Sequence, residues 1–238
     1  MTAADFKYSL ERACSPQLGS TAAREHLADI VGAVAVMDGR AREIAGLQVL
    51  DDHRLAITID APKAYFLGEL TYSTAFVVDR ANVGQGARWT DRPNGTGPFK
   101  LARRDSQRIV LERNDHYYGP RPALDRVTFI VGGSGLPMTM YENGELDIVQ
   151  VSPAEIERVL DPTNPLSREL TVVPQFDIQY LGFNVNVPPF DDVKVRQAFA
   201  HAIDRARLAD VVMKKTVVAA QGILPPGMPG NSPALRGL

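Results

Sequence analysis

The sequence predicts an α/β protein in which helices and strands are mixed throughout, without a strict βαβ repeat. Three observations carry this. Some windows space apolar residues three and four apart, as one face of a helix requires; others alternate apolar and polar residues, as a strand does. Proline and glycine cluster between these windows and punctuate them. Hydrophobic residues make up 45% of the 238 residues and are spread along the whole chain, so each part can contribute to a core.

Residues 2–14 read as a helix. Thr2 and Asp5 have capping-box spacing, and Phe6 and Leu10 share a face. Pro16 and Gly19 stop it. Residues 21–31 are expected to be helical, with Leu27, Ile30 and Val31 as the apolar stripe, and 40–46 to form a short further helix. The period then changes. Leu47 and Val49, then Leu55, Ile57 and Ile59, alternate around Asp51-Asp52-His53, which predicts a β-hairpin. A short apolar helix follows at 65–70. Residues 82–97 are rich in Gly and Pro and are expected to cross between subdomains.

A second hairpin pairs Phe99 and Leu101 with Ile109 and Leu111, turning at residues 104–106. Val127, Phe129 and Val131 make a further strand. Helices are expected at 136–143 and at 153–160, the latter with Ser152 and Glu155 at capping-box spacing. Residues 146–151, 171–173 and 179–185 read as strands. Asp191 or Asp192 can cap a helix carrying Val195, Phe199, Ala202 and Ile203. Residues 222–238 read as loop.

Charge and composition exclude several classes. With 26 basic and 28 acidic residues the formal net charge is −2, and no tract of like charge stands out, so nucleic acid is not an expected partner. Arg88 beside Trp89 is a weak stacking signal and reads as surface or cleft lining. The one cysteine, Cys14, allows no intrachain disulfide and reads as a small buried apolar residue. No apolar run approaches the ~18 residues of a membrane span.

Motifs for chemistry are scarce. His26, His53, His116 and His201 show no metal-ligand spacing, so neither a metal nor a cofactor is expected. Gly132-Gly-Ser134-Gly-Leu136 approaches a nucleophile elbow but has Leu136 where the last glycine belongs. A hydrolase using Ser134 and a phosphate cradle on this run are the alternatives to a plain strand-to-helix turn. Gly95-Thr-Gly97-Pro98 leads into a strand and reads as a tight turn. The expectation is a protein without catalytic activity.

Five segments, in order, resemble the family 5 extracellular solute-binding proteins, the group of the dipeptide- and oligopeptide-binding proteins of bacterial ABC importers. They are Thr2-Ala-Ala-Asp5-Phe-Lys-Tyr-Ser9-Leu-Glu-Arg12; Asn94-Gly-Thr-Gly97-Pro-Phe-Lys-Leu101; Ile109-Val-Leu-Glu-Arg113-Asn-Asp-His-Tyr-Tyr-Gly119; Asn143-Gly-Glu-Leu-Asp-Ile148; and Leu181-Gly-Phe-Asn184 followed by Pro189-Phe-Asp-Asp-Val-Lys-Val-Arg196-Gln-Ala-Phe-Ala-His-Ala-Ile-Asp-Arg205. Most of these residues are expected to be scaffold. Gly95 and Gly97 make a turn, and Val195, Ala198, Phe199 and Ala202 are core. Arg196, Asp204 and Arg205 hydrogen-bond to nearby backbone or to each other.

The resemblance implies a two-lobed α/β fold of the periplasmic-binding-protein type (class II, peptide-binding) that closes on a solute and is present here only in part. It divides the chain into a subdomain at 1–82, the main part of lobe 1 at 83–182, and a crossover with the start of lobe 2 at 183–238. An export signal and an opening sheet segment are expected before residue 2, and most of lobe 2 beyond residue 230. Tyr180, Phe183, Asn184 and Trp89 are the expected ligand-contacting residues, from their places near the crossings between lobes. Expected partners are a peptide or similar small solute and membrane permease subunits. Attachment to a membrane is expected only through the permease or a lipid anchor outside this chain, and the protein is expected to be a periplasmic or cell-surface monomer. The alternative is a cytoplasmic solute-sensing domain of a transcription regulator.

Overall fold

The computed structural model describes residues 1–133, 135–173, 175–232 and 234–235. Ser134 lies outside these residues, and with it the hydrolase reading. The chain divides into two compact units, Met1–Ser134 and Gly135–Leu238.

The first unit opens on helix α1, Ala3–Ala13. Its cap is the expected one. The Thr2 N–H donates to the Asp5 carboxylate at 2.7 Å, which satisfies a backbone donor that the helix leaves free. Leu10 and Cys14 face inward. They join Ala23, Leu27, Ile30, Ala33, Val36, Ile44, Leu47 and Phe66 in one core. Burial, with Glu11 as a second cause, pushes the Cys14 thiol up to about 11. Cys14 is therefore the inert core residue the sequence suggests.

Helix α2 spans only Thr21–His26, capped by Ser20, whose Oγ accepts from the Ala23 N–H at 3.1 Å. The expected helix to residue 31 is broken because Ile30 bridges to Ile59 and Val31 pairs with Thr58. The Val31 N–H donates to the Thr58 carbonyl at 2.9 Å. The apolar run that follows forms α3, Ala33–Met37, an element that periodicity did not reveal. Gly32 starts it with φ +88, and a Cβ there would meet the Ala45 nitrogen at 2.8 Å.

Strands β1, Leu47–Asp51, and β2, Arg54–Ile57, form the expected antiparallel hairpin, turning at Asp52 and His53. The helix expected at 40–46 is absent. The Gly46 N–H donates to Val31 at 2.7 Å, and its carbonyl accepts from Thr58 at 2.8 Å. The Ile44 N–H donates to Glu11 Oε1 at 3.2 Å. These backbone groups are satisfied by distant partners, so no local helix is needed. A Cβ on Gly46 would lie 2.6 Å from the Thr58 carbonyl, so the crossing requires glycine. Glu11 is thus a docking residue, tying α1 to the segment before β1.

Helix α4, Phe66–Glu69, buries Phe66, and α5, Arg80–Val83, is capped by Asp79. A three-stranded antiparallel sheet then runs β3, Phe99–Arg104; β4, Arg108–Arg113; and β5, Arg126–Ile130, in that order. The β3–β4 turn is made by Asp105, whose Oδ1 accepts from the Gln107 and Arg108 N–H groups at 2.9 Å each. Between Leu101 and Arg103 the register shifts by one residue, a β-bulge at Ala102.

The second unit contains α6, Pro137–Glu142; α7, Ile156–Leu160; α8, Val193–Ala202; and a short α9, Arg205–Arg207. Asp192, one of the two expected caps, accepts from the Lys194 N–H at 2.8 Å. The segments 146–151, 171–173 and 179–185 are not strands. A strand exists through its ladder of hydrogen bonds to a neighbour, and none of the three finds one among the described residues.

Candidate functional site

Trp89, one of the expected ligand contacts, belongs to the first unit. It opens a tight turn, Trp89–Asp91, and is half-buried. The Arg12 guanidinium stands over its ring, 5.5 Å from the centroid. The loop that presents it is pinned at several points. The Asp79 carboxylate caps α5 through the Ala81 N–H at 2.8 Å and accepts from Asn94 Nδ2 at 2.8 Å. Those two bonds, the Asn94 one first, hold its carboxyl below the usual range. Behind the turn the buried Asn82 donates to the Arg92 carbonyl at 3.1 Å. Asn82 carries no sequence signal. A lone Asn in a Gly-rich stretch gives no sign of being buried.

Tyr180, Phe183 and Asn184 belong to the second unit. Phe183 packs in a cluster with Phe190 at 5.1 Å and Phe199 at 5.4 Å between ring centroids, and those two are 5.8 Å apart. Asn184 builds a turn. Its Oδ1 accepts from the Asn186 N–H at 3.1 Å and its carbonyl from the Val187 N–H at 3.2 Å. Tyr180 is different: it is 72% exposed. The backbone of 179–183 makes no hydrogen bond with the other described residues. The structure thus gives Phe183 and Asn184 partners within the unit and leaves Tyr180 and its flanking backbone open.

The motif residues of the same unit are braces. Arg196 Nη1 donates to the Phe190 carbonyl at 2.7 Å and the Asp191 carbonyl at 3.2 Å. Asp204 accepts from the Arg207 N–H at 2.9 Å, and Arg205 reaches the Ala220 carbonyl at 3.1 Å. Gly144, with φ +75, ends α6, and the Glu145 N–H turns back to the Met140 carbonyl at 2.8 Å. An open aromatic beside unpaired backbone donors and acceptors is chemistry for holding a ligand. Among the described residues no three His, Cys, Asp or Glu side chains gather where they could hold a metal ion.

Comparison with known proteins identifies the family. The family model described as "Bacterial extracellular solute-binding proteins, family 5 Middle" matches residues 1–237. The dipeptide-binding protein DppE of Bacillus subtilis is 30% identical over 235 residues, 95% of this chain and 42% of that protein. The periplasmic oligopeptide-binding protein OppA of Escherichia coli is 30% identical over 94% of this chain and 42% of its own length. Among solved structures, the murein tripeptide binding protein MppA of Escherichia coli superposes with a TM-score of 0.84 at 29% identity, covering 98% of this chain and 47% of that one. The chain therefore spans less than half the length of the relatives it matches.

Proposed function

We propose, from the premise that the chain belongs to the family 5 bacterial extracellular solute-binding proteins, that it is part of the substrate-binding component of an ABC importer. Its fold is that of the two-lobed α/β periplasmic peptide-binding proteins, of which it covers about half. In this reading the complete protein closes on a peptide or similar small solute between two lobes and delivers it to a membrane permease. It has no catalytic step. It acts as a monomer in the periplasm or at the cell surface. Residues 1–82 form the subdomain packed on lobe 1, 83–182 the main part of that lobe, and 183–238 the crossover and start of lobe 2.

The observation that supports this best is the open segment at 179–183. A peptide ligand is held chiefly through its backbone, by strand-like hydrogen bonds that need unpaired donors and acceptors on the protein. Residues 179–183 offer such groups, and the exposed Tyr180 ring stands among them. Phe183 and Asn184 fix the chain beyond, and Trp89 supplies a second aromatic surface on a pinned loop. We assign Tyr180 and Trp89 to direct contact. Phe183 and Asn184 we assign to shaping the wall.

Uptake tests the proposal. Cells lacking the gene and cells complemented with it are given labelled di- to pentapeptides. Loss of uptake on deletion and its return on complementation are expected. Unchanged uptake, with altered transcription of neighbouring genes when peptide is added, favours the cytoplasmic sensor instead.

A further inference from the structure

The first unit carries a cleft of about 750 Å³ whose lining includes four guanidinium-bearing residues, Arg88, Arg92, Arg103 and Arg104, with Asp91 and Asp105. A volume of this size falls within the usual range for small-molecule sites, about 300–1,000 Å³. Its charge is unbalanced. Asp91 is engaged by Arg88 Nε at 2.8 Å, and Asp105 by Arg103 Nη2 at 2.8 Å. Asp105 also accepts the Gln107 and Arg108 N–H groups. Arg92 and Arg104 have no ion pair among the described residues. Two positive charges in one cleft thus remain uncompensated, in a chain whose formal net charge is −2.

The backbone holds both free arginines in place. Arg92 is fixed from behind by the buried Asn82, whose Nδ2 donates to the Arg92 carbonyl. Arg104 sits in β3, after the bulge at Ala102. Without that extra residue Arg103 would continue the alternation of Phe99 and Leu101. With it, Arg103 stands opposite Val110 and Arg104 opposite Ile109. Bulges re-aim side chains, and this one brings consecutive arginines into the cleft wall. Repulsion between uncompensated guanidiniums is relieved when a multiply charged anion bridges them, and a planar guanidinium suits phosphate or carboxylate oxygens in pairs.

We propose that this cleft binds a small polyanion, a solute carrying phosphate groups or several carboxylates, with Arg92 and Arg104 as the principal contacts. The cleft adjoins Trp89, whose turn also carries Arg88, Asp91 and Arg92, but anion binding there does not rest on the peptide-binding proposal. The side chains are exposed, so affinity falls with salt.

Calorimetric titration of the complete protein with inorganic pyrophosphate, and separately with citrate, tests this. Saturable binding of at least one is expected, weakened at least ~10-fold in the Arg92→Gln/Arg104→Gln double variant, equivalent to about 1.4 kcal/mol. Arg108→Gln/Arg126→Gln removes the same charge from the sheet outside the cleft and is expected to change affinity less than about twofold. Circular dichroism checks that each variant is folded. If the double variant does not fold, Arg104→Gln alone is used, and a loss of several-fold is still expected. Failure of both anions to bind, or equal weakening by the two double variants, overturns the proposal. So does association with phosphatidylglycerol vesicles while neither free anion binds.

Discussion

The side-chain amide of Asn114 donates to the carbonyl of Gly97 at 2.9 Å. The backbone closes the same contact, with the Asn114 N–H donating to Pro98 at 2.9 Å, and Asn114 Oδ1 accepts from the His116 N–H at 3.1 Å. Two of the five family-like segments, one starting at Asn94 and one at Ile109, are therefore locked together by one buried amide. Replacing Asn114 by Ala leaves buried groups unpaired and is expected to cost about 1–3 kcal/mol. Urea unfolding of the complete protein checks this, and an unchanged midpoint contradicts it.

Ser9 works in the same way across a longer span. It is buried, its Oγ accepts from the Val78 N–H at 2.9 Å, and its hydroxyl donates to the Asp5 carbonyl at 2.7 Å. Ser9→Ala is expected to destabilise by about 1–3 kcal/mol through the unpaired Val78 donor. Native-state hydrogen exchange should show the Val78 amide losing protection ahead of the α1 interior.

Cys14 gives a pH-dependent prediction. Its thiol is pushed from an ordinary 9.0 to about 11 by burial first and by Glu11 second. The folded state holds the proton more tightly than the unfolded one. The stability this contributes is full below pH 9 and falls as pH rises from 9 toward 11. Thiol labelling at pH 8 is expected to be slow in the native protein and to accelerate with denaturant along the unfolding curve. Fast labelling of the native state would show that the core around Leu10 and Leu27 is open.

Tyr180 and Phe183 are predicted to separate binding from stability. Tyr180 is largely exposed, so Tyr180→Ala is expected to shift stability by less than about 0.5 kcal/mol while weakening ligand binding. Phe183 is packed on Phe190 and Phe199, and Phe183→Ala is expected to cost about 1–3 kcal/mol. Parallel thermal unfolding and ligand titration of the two variants check the split. The opposite pattern reverses the roles assigned to them.

Local signals were legible in the sequence where local chemistry decides. The Thr2–Asp5 cap, the turns of the two hairpins and the Asp192 cap depend on neighbours within a few residues, and the β3–β4–β5 strands carry their own alternation. What the sequence could not reveal depends on partners far along the chain. The segment at 40–46 gives up helix because Val31, Thr58 and Glu11 satisfy its backbone. Residues 179–185 have strand composition, yet find no ladder partner among the described residues, and β composition alone makes no strand. The place of Tyr180, Phe183, Asn184 and Trp89 follows from the family resemblance alone, and Asn82 and the bulge-directed arginines carry no local pattern.

In the proposed function the complete protein binds a peptide or similar small solute, and the open segment around Tyr180 meets it. Isothermal titration of the complete protein with di- to pentapeptides tests it most directly. Saturable binding of one peptide per protein is expected, weakened by Tyr180→Ala and left intact by an exposed substitution such as Arg126→Gln. Binding that Tyr180→Ala leaves unchanged would overturn the assignment of that segment, and failure of folded protein to bind any peptide would remove peptides as its solute.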